Sequence, residues 1–257
     1  MSGGYADVGD VRLFYCCEGE GDPILFLHGN GQDHTVFFRY AAAFRARFRV
    51  ILVDSREHGR SGASEQDGEL SIRLMAEDVA GLLDELHVER AILFGYSDGA
   101  NTALEFSCRY PERTIAVIAA NGNALPSGLR FPIPSLLRLG SGLAHLFSLC
   151  PVPAVREMAN HRLRLNALML HSPALTAARL KKIKAPVLLL TGTLDMVRLS
   201  HTKWMARQIP RAKLFLLKGG THDMLFRHER ECMRAIGRFL RSEKSCSRRR
   251  LNWEESI

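Results

Sequence analysis

The stretch ILFGYSDGANTA, residues Ile92 to Ala103, decides the fold. It sets one hydroxyl, Ser97, between Gly95 and Gly99 at the point where an apolar run gives way to a helical pattern. Glycines punctuate turns, so a purely structural turn is one reading. The chemical reading makes Ser97 a nucleophile on a sharp strand-to-helix elbow, where the backbone passes so close to its neighbours that only glycine is comfortable two residues to either side. Random matches to G-x-S-x-G are common, but one at a strand-to-helix junction in the middle of an alternating β/α chain is not. That context favours the nucleophile.

Working outward, PILFLHG (23–29), RVILVDS (49–55), AILFGYS (91–97), TIAVIAANG (114–122), APVLLLTG (185–192) and AKLFLLKGG (212–220) read as buried strands, after an opening hairpin made by YADV and VRLFYCCE (11–18). Helical patterns fill 71–88, 98–111 and 223–240, with Ser71 as an N-cap and Pro111 as a stop. This alternation predicts a parallel sheet with crossover helices, and each strand ends in Gly, Ser, Asp or Asn at the carboxyl edge, where such sheets bind ligands. Between Asn123 and Lys184 the rhythm breaks into proline- and leucine-rich sequence too long for a connecting loop. The division expected is a core over 1–122 and 185–242, a helical cap or lid over 123–184, and a polar basic tail over 243–257.

A serine hydroxyl is a weak nucleophile without a base, and the base needs an acid to fix its tautomer. For this elbow the order is Ser, acid, His. Asp195 follows the strand APVLLLTG and His222 follows AKLFLLKGG, so both are delivered to the edge that carries Ser97. Competitors are weaker: Asn121 and Asn123 offer no acid, Asp223 sits beside His222, and Asp54 comes too early and reads as a turn pin. An acyl-transfer site also needs oxyanion donors. The Asp98 amide at the helix start is one, and the Asn30 amide, in a loop that Gly29 and Gly31 let approach Ser97, is the second. His28 reads as a hydrogen-bonder that shapes this loop.

LHGNG, DSREHGRSG, GYSDGA, TGTLD and KGGTH stand in the order and context of the α/β-hydrolase superfamily over residues 5 to 242, and GYSDGA is similar to the elbow of small bacterial serine esterases and valacyclovir hydrolase-like proteins. The resemblance implies an α/β fold with a mostly parallel eight-stranded sheet, helices on both faces and a lid between strands six and seven. It implies Ser97, Asp195 and His222 as the triad, with the Asn30 and Asp98 amides as the oxyanion hole. Glu57 departs from the pattern, standing where the family usually has glycine.

The expected activity is hydrolysis of small carboxylic esters through an acyl-enzyme, with no metal or cofactor. Hydrolysis of a carbon–carbon bond or perhydrolysis by the same triad is the alternative, and a non-catalytic ligand-binding module is the alternative of another class. The composition, 46% hydrophobic and 24% charged over 257 residues, suits a globular core. The net charge of +8 is densest in the arginines and lysines of 129–184, without the aromatic-interleaved basic stripe of a nucleic-acid binder. Six cysteines in no metal spacing, no signal-like N-terminus and no apolar run of membrane-spanning length predict a cytoplasmic protein with free thiols, monomeric or homodimeric. Some of Leu125, Phe131, Leu136, Leu137, Leu143, Leu146 and Phe147 are expected to line an apolar acyl pocket above Ser97, the alternative being that they seal a small satellite core.

Overall fold

The computed structural model describes residues 1–63 and 70–243. The proposed tail therefore lies outside the described residues from position 244 onward.

Eight strands form one sheet: β1 (Ser2–Val8), β2 (Val11–Glu18), β3 (Asp22–Leu27), β4 (Phe48–Val53), β5 (Ala91–Tyr96), β6 (Thr114–Ala120), β7 (Val187–Gly192) and β8 (Ala212–Leu217). Their order is β1-β2-β4-β3-β5-β6-β7-β8. β2 is antiparallel to both its neighbours, and all pairs from β4 to β8 are parallel. β5 and β7 are buried at every residue, as expected of strands covered on both faces, whereas edge strand β8 exposes Lys213 and Leu214.

The helices are α1 (Phe38–Phe44), α2 (Ile72–Glu85), α3 (Asp98–Arg109), α4 (Ile133–Ser148), α5 (Pro153–His171), α6 (Ala177–Leu180), α7 (Leu199–Gln208), α8 (Met224–Arg227) and α9 (Glu229–Ser242). The period-two alternation of β3 shows why there are two cores. Leu25 and Leu27 pack with Leu82 of α2, Leu104 of α3 and Met205 of α7, while Ile24 and Phe26 pack with Phe44 of α1 and Ile236 of α9. The helical pattern expected over 223–240 is broken at His228, whose φ of −120° and ψ of 45° separate α8 from α9.

Because α1, after β3, and α3, after β5, lie on opposite faces, their loops part and leave a crevice at the carboxyl ends of these adjacent strands. That is where ligands bind in such sheets. α4, α5 and α6 occupy the interval between β6 and β7, and α4 packs against α5 as a helical hairpin. Among the described residues all the cysteines are free, and no helix is long and apolar enough to cross a membrane.

Candidate active site

Ser97 sits between β5 and α3 with φ 54° and ψ −119°, a conformation that β-carbon-bearing residues adopt only when the surroundings impose it. Two features impose it here. The Ser97 N–H donates to Ala120 O at 2.9 Å. A Cβ at Gly95 would collide with the Gly99 carbonyl, and one at Gly99 with the Leu27 carbonyl. The elbow is thus wedged between β3 and β6.

Ser97 Oγ and His222 Nε2 are 3.0 Å apart, and His222 Nδ1 and Asp195 Oδ1 are 2.7 Å apart. A carboxylate can only accept, so Nδ1 carries the hydrogen and Nε2 is left as the acceptor for the serine O–H. Asp195 is 1% exposed, and its charge is met by further donors: Asn121 Nδ2 at 2.6 Å, Thr191 Oγ1 at 3.1 Å and the Val197 N–H at 3.2 Å. The Tyr96 hydroxyl donates to His222 O at 3.1 Å, and its ring packs on the imidazole with centroids 5.3 Å apart. Asn121, weighed from sequence only as an acid it could not be, emerges as a support for the acid. Its place just after β6, at the carboxyl edge of the sheet, was the signal the sequence offered.

The loop after β3 reaches the elbow so closely that a Cβ on Gly29 would stand 3.1 Å from Ser97 Cβ. Asn30 Nδ2 donates to Asp98 Oδ2 at 3.0 Å and to Leu165 O of α5 at 3.2 Å, which ties loop, elbow and insertion together. The backbone N–H groups of Asn30 and Asp98 have no acceptor among the described residues. Burial raises the Asp98 carboxyl above its usual range, opposed by the amides of Asn30 and Asn101.

His28 is buried with Nδ1 2.8 Å from Gly29 O and Nε2 accepting the Ser55 N–H at 3.0 Å, an arrangement that uses the neutral ring to shape the loop. Burial pulls its pKa from 6.5 down to about 4. The unfolded chain then binds more protons than the folded one between those values, so stability is full above pH 6.5 and falls as pH drops through the window. We expect the urea midpoint to decline across it, with a shallower slope in His28→Gln. An equal slope would remove His28 from the acid response.

Asp54 pins a turn, accepting from the His34 N–H at 2.7 Å and the Arg60 N–H at 2.8 Å. Glu57 adopts a φ of 61°, the left-handed conformation that glycine would take freely. Its carboxylate is buried and receives Arg164 Nε at 2.8 Å and Arg164 Nη2, while its carbonyl lies 2.8 Å from His161 Nε2. The departure from glycine thus places an anion under α5. Glu57→Gly should relieve roughly 1 kcal/mol of backbone strain yet lose this clamp. The expected result is faster amide exchange over 153–171 with an almost unchanged global midpoint, and unaltered exchange there would show that the clamp holds nothing.

None of the seven leucines and phenylalanines named from the sequence borders the cavity beside Ser97. Leu129, Met169, Met196 and Val197 border a cavity of only about 10 Å³ beside Ser97 and His222. Phe131, Leu136, Leu143, Leu146 and Phe147 are exposed. Phe147 borders a separate cavity of about 520 Å³ between α4 and α5 that extends to Gly31, with Arg162 and His161 also in its lining. Periodicity identifies an apolar helix but not what covers it.

A sequence profile of the alpha/beta hydrolase family matches residues 24–235. The 2-hydroxy-6-oxo-6-phenylhexa-2,4-dienoate hydrolase of Comamonas testosteroni is 34% identical over 156 residues, which are 59% of this chain and 52% of that protein. The putative carbamate hydrolase RutD of Azorhizobium caulinodans is 37% identical over 141 residues, 54% of this chain and 52% of that protein. The chain therefore spans about half the length of these two curated relatives. Among solved structures, the enol-lactonase from Burkholderia xenovorans has a TM-score of 0.74 at 23% identity, covering 92% of this chain and 99% of that one, a likeness of fold.

Proposed function

Because the chain belongs to the alpha/beta hydrolase family, we propose that it is a serine hydrolase cleaving small carboxylic esters through an acyl-enzyme. The observation that carries this reading is the unbroken line of hydrogen bonds Ser97 Oγ, His222 Nε2, His222 Nδ1, Asp195 Oδ1, with spacings of 3.0 and 2.7 Å. Ser97 Oγ attacks the ester carbonyl while its proton passes to His222 Nε2, and Asp195 stabilises the imidazolium without taking the proton. The Asn30 and Asp98 N–H groups hold the oxyanion. His222 returns the proton to the departing alkoxide, leaving Ser97 acylated. Water then attacks the acyl-enzyme with His222 as base, releasing the acid and restoring the serine. In the same reading 123–184 is a lid over a core made of 1–122 and 185–242.

The side chains beside Ser97 leave room for about one water, so any acyl group must displace Leu129, Met169 or Met196, and a short one displaces least. Overfilling a packed site costs about 1–3 kcal/mol, so kcat/KM for p-nitrophenyl hexanoate should be about tenfold or more below that for the acetate. A profile that rises from acetate to hexanoate would contradict this size limit.

Carbon–carbon bond hydrolysis by the same three residues is the second reading, favoured by the name of the Comamonas relative. Parallel assays on p-nitrophenyl acetate and on a ring-cleavage dienoate separate the two. Turnover of the dienoate alone would defeat the ester reading.

A further inference from the structure

α4 has apolar residues on two faces. Gly140 and Ala144 turn toward α5 and the space between the helices, and a second stripe is formed by Leu136, Leu139, Leu143 and Leu146, spaced three, four and three residues apart. That spacing sets them on one side of the helix. All four are open to solvent, at 56%, 64%, 53% and 66%. They are not isolated: nine of the fifteen large hydrophobic side chains exposed in the described chain lie between residues 131 and 158. A concentration of this kind marks an interaction surface rather than ordinary scatter.

Charge identifies what it meets. Residues 133–171, which span both helices, contain four arginines and a single acidic residue, Glu157, and α4 contains no acid at all. Arg164 is engaged by Glu57. Arg138, Arg156 and Arg162 are exposed and have no carboxylate partner among the described residues. Arg138 is exposed outside the apolar stripe, on the Leu146 side of the helix. An apolar stripe on an acid-free helix, with an arginine that can reach upward beside it, is the form taken by helices lying in the plane of a lipid surface.

We infer that the outer face of α4 seats the protein on an anionic lipid surface, with the Leu136, Leu139, Leu143 and Leu146 side chains in the headgroup boundary and Arg138 among the lipid phosphates. The helix lies on the membrane and does not span it. A second copy fits less well, because a twofold contact would set the same cationic, acid-free helix against itself. The inference does not depend on the chemistry at Ser97.

The test is sedimentation of the full-length protein with vesicles of phosphatidylcholine alone and of phosphatidylcholine mixed with phosphatidylglycerol. Binding to the anionic vesicles should be at least about tenfold stronger and should weaken with added salt. The double variant Leu139→Glu/Leu143→Glu should lose that binding and Arg138→Glu should reduce it, while both hydrolyse soluble p-nitrophenyl acetate as the wild type does. Equal binding to the two vesicle types, or none, would overturn the inference. So would anionic-vesicle binding that survives the double variant, which would assign it to another part of the chain such as the basic run 248–250. A wild-type dimer in light scattering that the double variant splits would overturn it as well, because a second copy would then cover the stripe.

Discussion

Ser97→Ala is expected to lower kcat for p-nitrophenyl acetate by a factor on the order of 10⁴ or more, and His222→Ala by a similar factor. The reason lies in the geometry: Oγ and Nε2 are 3.0 Å apart, so the hydroxyl that would attack and the base that would take its proton already meet. Without the hydroxyl there is nothing to acylate, and without the imidazole the hydroxyl keeps its proton and stays a poor nucleophile. The double variant should be little worse than either single one, because the two groups perform one step together. The residual rate should come from the oxyanion donors, which both substitutions leave in place. Steady-state kinetics on the three variants checks this. Losses that multiply in the double variant would mean that the serine and the histidine act independently. Asp195→Asn should fall in the same direction, since an amide can donate to His222 Nδ1 and so favour the wrong tautomer.

The second large effect is on stability. Gly99→Ala should destabilise the fold by about 3 kcal/mol, read from the urea midpoint, because the new Cβ points at the carbonyls of Leu27 and His28. Those atoms belong to the end of β3 and the loop that follows, so relief requires the elbow to move away from the loop that carries Asn30. The variant should therefore also lose activity beyond what its folded fraction explains. Gly142→Ala provides the contrast: its Cβ would meet nothing within 4 Å, and its backbone is helical. Replacing glycine by alanine there should raise stability by about 0.5–1 kcal/mol. If both substitutions cost the same, close approach is not what the elbow glycines provide.

The elbow, the sheet and the order of Ser97, Asp195 and His222 were legible in the sequence because each is written locally. A buried strand is a short apolar run, its end is marked by a turn residue, and strands of a parallel sheet deliver their ends to one edge. What the sequence hid depends on which strands are neighbours and which surfaces meet. Asn121 supports Asp195 only because β6 lies beside β7, a pairing between segments about 70 residues apart. Glu57 looked like a departure from a glycine pattern. Its role required knowing that Arg164, 107 residues later, would pass over it. The leucines of α4 are readable as an apolar helix, but the apolar side chains of a helix need not all turn inward. Periodicity fixes their spacing around the helix axis but not which stripe finds a partner. The α8–α9 break falls within five consecutive polar residues, 227–231, where the apolar spacing lapses, but no proline or glycine marks it.

We propose that Ser97 is the acylated residue, activated by His222. The most direct test is reaction of the intact protein with a fluorophosphonate followed by peptide mass spectrometry, because only a hydroxyl with an adjacent base and oxyanion donors reacts at neutral pH. One adduct per chain is expected, on the peptide that contains Ser97, strongly slowed in His222→Ala and absent in Ser97→Ala. Labelling of Ser97→Ala at the wild-type rate, or an adduct on a different serine, would contradict it.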